Sequence, residues 1–212
     1  EEQPVEPERI TRKLASVAVT EDAEGRRIYD FGENIAGVAE LTVAAPAGSE
    51  VVLEFAEELD DDGRFDPAST GVFATGQIAT DRYICAGTGV ECWRPSFTYH
   101  GFRYCRVSGP ALTSLNACEI HTDVAHTGRF RSSDAAAERI YAMCRRTLLG
   151  NLHGLPTDCP AREKCGWLGD AQVEAEFAIA NFDCRKLFTK YLDDIGTSLW
   201  QGIPTMVAPG DR

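Results

Sequence analysis

The residues of this chain best suited to chemistry lie in one short segment, Asp158-Cys-Pro-Ala-Arg-Glu-Lys-Cys-Gly-Trp-Leu-Gly-Asp170. It holds three carboxylates, an arginine, a tryptophan and two glycines between two apolar helical patterns. A loop that only turned the chain would not need three acids and a large aromatic. A site that grips a polyhydroxylated ligand would. Acids hydrogen-bond hydroxyls, an aromatic face covers the apolar side of a ring, and an acid kept protonated can protonate a leaving oxygen. If residues 163–170 are helical, Glu163, Trp167 and Asp170 fall at i, i+4 and i+7 and project from one face. Their span is then about 10 Å, the length of a sugar ring with its leaving oxygen. Gly166 and Gly169 weaken such a helix but permit close approach of backbone or ligand. Asp158 would cover the same space from the Pro-bounded loop.

Glu163 is the expected general acid. Arg162 and Lys164 are its chain neighbours and project elsewhere on a helix. Asp158 and Asp170, converging on Glu163, would raise its pKa by like-charge repulsion, and burial against Trp167 would do the same. The structural alternative is a helix N-terminus with a capping Asp158, a first-turn Glu163 and a core tryptophan. From the residues alone the two readings stand level.

The elements that must position this segment change character along the chain. Residues 26–123 read as all-β, with strands such as Val38–Val43, Glu50–Ala56, Ala79–Ile84, Glu91–Phe97, Phe102–Val107 and Leu115–His121. Turn signals recur about every ten residues, the spacing of a β-sandwich. Residues 1–125 therefore form an expected β-sandwich domain, with 1–25 as a linker-like start. Residues 126–212 read as all-α. Ser132-Ser-Asp134 offers N-caps for a helix over Ala135–Asn151 with Ile140, Cys144 and Leu148 as its buried stripe. Two more helices fit Asp170–Asn181 (Val173, Phe177, Ala180) and Cys184–Leu199 (Leu187, Tyr191, Ile195, Leu199). Pro156 and Pro160 forbid a helix running through the site loop. Three such helices close no core, so the expectation is a helical domain cut short at Arg212. The missing initiator Met suggests that residue 1 is not the natural start.

Bulk properties narrow the partners. Hydrophobic residues make up 43% and charged residues 25%, which fits folded domains. The net charge of −12 argues against nucleic acid or an anionic membrane surface and suits a neutral ligand. No run reaches the roughly 18 apolar residues of a membrane span, and no signal peptide opens the chain. None of the eight Cys forms a C-x-x-C pair, so no metal site is expected and a reducing compartment is favoured. Asp60-Asp-Asp-Gly63 reads as a solvated turn, His100 as a buried hydrogen-bonded histidine, and Trp93 and Trp200 as core. His121, His126 and His153 receive no site role. Glu174 and Glu176 read as a solvated helix face, although Glu174 lies four residues past Asp170.

Five ordered segments then carry a resemblance: Tyr29-Asp-Phe-Gly-Glu-Asn-Ile-Ala-Gly37, Ala79-Thr-Asp-Arg-Tyr83, Phe97-Thr-Tyr-His-Gly-Phe-Arg-Tyr104, Pro156–Gln172 around the acidic segment, and Gly202-Ile-Pro-Thr-Met-Val-Ala-Pro209. Together they resemble the bacterial α-L-rhamnosidases of glycoside hydrolase family 78. The resemblance implies a concanavalin-like β-sandwich followed by the first helices of an incomplete (α/α)6 barrel. It implies Glu163 as general acid, with Asp158, Arg162, Trp167 and Asp170 lining the rhamnose subsite. It implies inversion at the anomeric carbon, with the general base beyond Arg212. It further implies a rhamnose-containing glycoside or oligosaccharide as partner, with no cofactor and no metal. Localisation is left unknown by the sequence, with the bacterial cytoplasm favoured over the periplasm or secretion because no signal peptide opens the chain and no cysteine pairing pattern is present. Cys165 and Leu168 depart from the family pattern, which has an apolar residue such as Leu and a Thr there. Two rivals remain at this stage. One is another (α/α)6 carbohydrate-active enzyme, although a lyase would call for a Tyr/His pair and basic residues. The other is a non-catalytic sugar-binding or scaffold module.

Overall fold

The structure, a computed structural model, describes residues 5–71 and 76–210. The first four residues of the linker-like start and the last two of the helical part lie outside the described residues. The chain divides into two compact units, Ile10–Ile120 and a second made of Glu1–Arg9 with His121–Arg212.

The first unit is built on β1 (Glu8–Ala15), β2 (Ala18–Glu21), β3 (Arg27–Ala44), β4 (Glu50–Ala56), β5 (Thr80–Ile84), β6 (Val90–Trp93), β7 (His100–Ser108) and β8 (Leu112–Thr122). They form one sheet in the order β1-β8-β3-β7-β4-β5, with β2 and β6 also paired to β3. The first half of β3 pairs with β7 and the second half with β8 and β6. A register shift between Asp30 and Ile35 disrupts the ladder, and such irregularities bend a strand. The expected β-domain is one sheet curled into a half-barrel, with the long β3 pairing in turn with β2, β7, β8 and β6. Residues 8–21, expected as linker, are strands β1 and β2. Their mostly exposed side chains hid the pattern, because a strand at a sheet edge lacks the apolar alternation of a half-buried one.

Alternating apolar residues from β3, β4 and β7 fill the interior. Phe102 lies edge-on to Phe31 at 5.8 Å and against Phe55 at 4.8 Å. His100 stacks on Phe55 at 4.4 Å and sets Nε2 3.0 Å from Asp81 Oδ1, so it is a packed structural residue. Arg103 grips Asp30 through Nε and Nη2 at 2.8 and 2.9 Å, beside the irregular part of β3. Gly37, where β3 passes between β7 and β8, must lack a side chain: a Cβ there would lie 1.9 Å from the Cys118 carbonyl oxygen. Asp60 Oδ1 accepts from the Asp62 and Arg64 amides, closing the exposed turn at 60–63.

Glu91 organises the β5–β6 turn. Its carboxylate accepts from Tyr83 Oη at 2.5 Å and from the amides of Ala86, Gly87 and Thr88 at 2.9, 2.7 and 3.1 Å. The Tyr83 hydroxyl, with those amides, holds the carboxyl down at about 2, and the same bond pushes Tyr83 up to about 12. A depressed acid stabilises the fold above its unfolded pKa, and that contribution fades as pH falls. Glu91→Gln should therefore lower the melting temperature at pH 7, and the gap to wild type should close as pH falls from 4.5 toward 2. A gap independent of pH would show that the carboxylate charge is not the cause.

In the second unit α1 (Ala135–Leu149), α2 (Leu168–Asn181) and α3 (Arg185–Thr197) precede the short hairpin β9–β10 (Leu199–Trp200, Ile203–Pro204). Asp134 caps α1, its Oδ1 accepting from the Ala136 amide at 2.8 Å. Leu148, Leu152, Ala178, Phe182, Cys184 and Leu187 form the core. Residues 5–9 join this unit: the Asp123 amide donates to the Pro7 carbonyl, and Val5 packs on the core. The stripe Leu187, Tyr191, Ile195 of α3 is inward as expected, but Leu199 is exposed. On α1, Leu148 is buried while Ile140, Met143 and Cys144 are exposed. Its inward side runs instead through Tyr141 and Arg145, whose guanidinium lies over the rings of Tyr141 and Phe182. On α2, Val173 and Ala180 are likewise exposed, and Ala171 and Ala178 are buried. These helices carry apolar residues on two faces, and periodicity does not say which one this unit uses. Trp200, expected in a core, is exposed. Among the described residues, no helix is long and apolar enough to cross a membrane.

Candidate functional site

The acidic segment connects α1 to α2, and its backbone is not the helix its spacing suggested. Residues 160–163 form a turn, residues 164–166 have no regular structure, and helix begins at Leu168. Lys164 is left-handed, with φ 53°. Tertiary pairing overrides helical spacing here. Trp167 bridges to Val207, the Leu168 amide donates to the Met206 carbonyl at 2.9 Å, and the Ala208 amide donates to the Gly166 carbonyl at 2.9 Å. Tyr191 Oη of α3 donates to the same Gly166 carbonyl at 2.9 Å. Gly166 has to be glycine, since a Cβ would lie 2.1 Å from the Ala208 oxygen and 2.7 Å from Leu155 Cδ1.

Asp158 staples the loop rather than capping a helix. Its amide donates to the Cys165 carbonyl at 2.9 Å, and its Oδ1 accepts from the Cys165 amide at 2.9 Å. Cys159 Sγ donates to its Oδ2 at 3.2 Å and in turn accepts from the Glu163 amide at 3.2 Å. With Asp158 closing the loop, Glu163 and Trp167 meet: the indole Nε1 donates to Glu163 Oε2 at 2.8 Å. The expected pairing of Glu163 with Trp167 is present, but not by the expected route and not with burial, because Glu163 is exposed.

Asp158 and Glu163 flank Cys165, whose thiol is raised by burial and then by those two carboxylates. Asp170, in the first turn of α2, acts on Glu174. Arg162 is exposed on the turn. The segment therefore offers an open carboxyl fixed by an indole N–H, a stapled aspartate beside it, and a further aspartate at a helix start.

Glu174 corrects the sequence reading. It is half-buried rather than solvated, and its Oε1 is sealed from solvent with no hydrogen-bond partner among the described residues. Burial, then the charge of Asp170, pushes this carboxyl up to about 8. The available signal was its i+4 spacing from Asp170. All eight cysteines are free thiols. Among the described residues, no group of three or more His, Cys, Asp or Glu side chains is arranged to hold a metal ion.

Comparison with known proteins covers both units. Residues 20–126 match the bacterial alpha-L-rhamnosidase concanavalin-like domain, and residues 125–212 match the bacterial alpha-L-rhamnosidase 6 hairpin glycosidase domain. An alpha-L-rhamnosidase of Formosa agariphila is 39% identical over 92% of this chain and 22% of its own length. The structure of the alpha-L-rhamnosidase from Dictyoglumus thermophilum superposes with a TM-score of 0.89 at 37% identity, over 97% of this chain and 24% of that one. The Streptomyces avermitilis alpha-L-rhamnosidase complexed with L-rhamnose gives 0.90 at 34% identity, over 99% of this chain and 21% of that one. The chain thus spans about a fifth of the length of the curated relatives it matches.

Proposed function

Because the chain belongs to the bacterial alpha-L-rhamnosidase family, we propose that the protein it forms part of is a glycoside hydrolase that removes terminal α-L-rhamnose from glycosides or oligosaccharides. Glu163 is the general acid that protonates the leaving oxygen. Asp158, Arg162, Trp167 and Asp170 line the rhamnose subsite. The observation that carries this reading is the Glu163 carboxyl, open to solvent yet held at 2.8 Å by the Trp167 indole. An acid that must reach a bond outside the protein has to be both fixed and accessible. The indole that orients it also presents an apolar ring of the kind that stacks on sugars.

The reaction is acid–base chemistry between two carboxyls, and the second acts from a part of the protein outside this chain. Because that base activates water on the opposite face of the ring, the anomeric configuration inverts. Proton NMR of the first product released from an aryl α-L-rhamnoside should show β-L-rhamnose before mutarotation. Initial release of the α-anomer would overturn inversion, and absence of rhamnose release would overturn the function.

A further inference from the structure

Glu174 is a carboxyl that the proposed chemistry does not use. It lies one helical turn beyond Asp170 on α2, and residues so spaced share a face with Cβ atoms about 5–6 Å apart. Its neighbours Val173 and Glu176 face solvent while Ala171 and Ala178 are buried, so Glu174 lies at the boundary where the helix enters the unit. Its Oε1 is sealed and accepts no hydrogen bond among the described residues. An ionised carboxylate in that setting is far costlier than a neutral one.

The surroundings reinforce this. Besides burial, the group acting on Glu174 is the anionic Asp170. Tyr191, on the packed α3, is raised to about 12 by burial and then by Asp194, Glu174 and Asp170. Cys184, at the α2–α3 junction, is raised to about 11 by burial and then by Asp183, Glu6 and Glu174. Asp170, Tyr191 and Cys184, an anion, a phenol and a thiol, thus share their electrostatics with Glu174. Tyr191 is also the side chain whose hydroxyl pins the Gly166 carbonyl, between Glu163 and Trp167.

Resting on the function proposed above, we infer that Glu174 is a positioning residue for Asp170, standing behind it as a neutral carboxylic acid so that the pair presents one negative charge to the sugar. A single anion can accept hydrogen bonds from sugar hydroxyls in a fixed geometry. Two adjacent anions repel each other, and the α2 turn that carries Asp170 then loses its placement. Burial and the neighbouring charge of Asp170 move the loss of the Glu174 proton to the alkaline side. The sugar subsite therefore weakens above neutral pH while proton transfer from Glu163 follows its own course.

The test is kcat and KM for an aryl α-L-rhamnoside from pH 6 to 9, measured separately in the complete protein. Wild-type KM should rise about tenfold between pH 7 and 9. In Glu174→Gln, which mimics the neutral acid and cannot ionise, KM at pH 9 should stay near that variant's value at pH 6. Glu174→Asp keeps an ionisable group and should keep the rise. A purely structural role would shift KM by the same factor at every pH. A flat wild-type KM across this range overturns the inference without any variant, and so does an equal rise in Glu174→Gln. A wild-type protein that releases no rhamnose sinks the proposed function itself. In that case the melting temperatures of wild type and Glu174→Gln from pH 5 to 9 decide whether Glu174 is neutral: a gap that widens with pH supports it, and a constant gap overturns it.

Discussion

Glu163→Gln should lower kcat on a natural rhamnoside by about 10²–10⁴-fold, the usual share of a positioned proton donor, while L-rhamnose affinity stays close to wild type. The amide is nearly isosteric, and its oxygen can still accept from Trp167 Nε1, so the loop stapled by Asp158 should keep its shape. The amide cannot supply the proton the departing oxygen needs. The loss should therefore shrink on aryl rhamnosides whose leaving group is already a good anion, since those bonds break with little protonation. Steady-state kinetics on an alkyl and a nitrophenyl rhamnoside would separate the cases. Equal loss on both would mean that Glu163 shapes the loop rather than donating a proton. Near-normal turnover on the alkyl substrate would remove it from its role.

Gly166→Ala should be the most damaging conservative change in the segment. The new methyl would lie 2.1 Å from the Ala208 oxygen and 2.7 Å from Leu155 Cδ1, and the first of these is backbone that a rotamer change cannot clear. Relief requires the loop to lift from residues 206–208. That movement stretches the bonds its carbonyl accepts from the Ala208 amide and Tyr191 Oη. Overpacking typically costs about 1–3 kcal/mol, and each weakened hydrogen bond adds about 0.5–1.5 kcal/mol. The displaced backbone lies between Glu163 and Trp167, and a shift of about 1 Å at reacting groups can lower the rate about 10²-fold. Gly169→Ala is the control. Nothing lies within 4 Å of a Cβ there, and the residue belongs to α2. It should be neutral or stabilising by up to about 1 kcal/mol. Thermal melts of both variants beside kcat/KM check this, and equal stability of the two would refute the clash.

The corrections share a physical cause. Helical spacing put Glu163, Trp167 and Asp170 on one face. The chain instead spent Trp167 and Leu168 on pairing with residues 206–207, a contact some forty positions away that no local window contains. Glu163 and Trp167 still meet, because an extended segment after a turn can return a side chain as well as a helix can. Asp170 goes with α2, where its charge acts on Glu174.

The identity of the acids, the sandwich-then-helix order, the N-cap Asp134, the inward stripe of α3 and the family resemblance were all present in the order of residue types, because capping, alternation and motif are local properties. Which apolar face of α1 and α2 turns inward, how β3 divides its length among four partner strands, and which carboxyl is deprived of water were decided only by the tertiary structure. Burial and charge proximity depend on segments distant in the chain, and a lone sequence window holds neither the neighbours nor the solvent boundary that sets them.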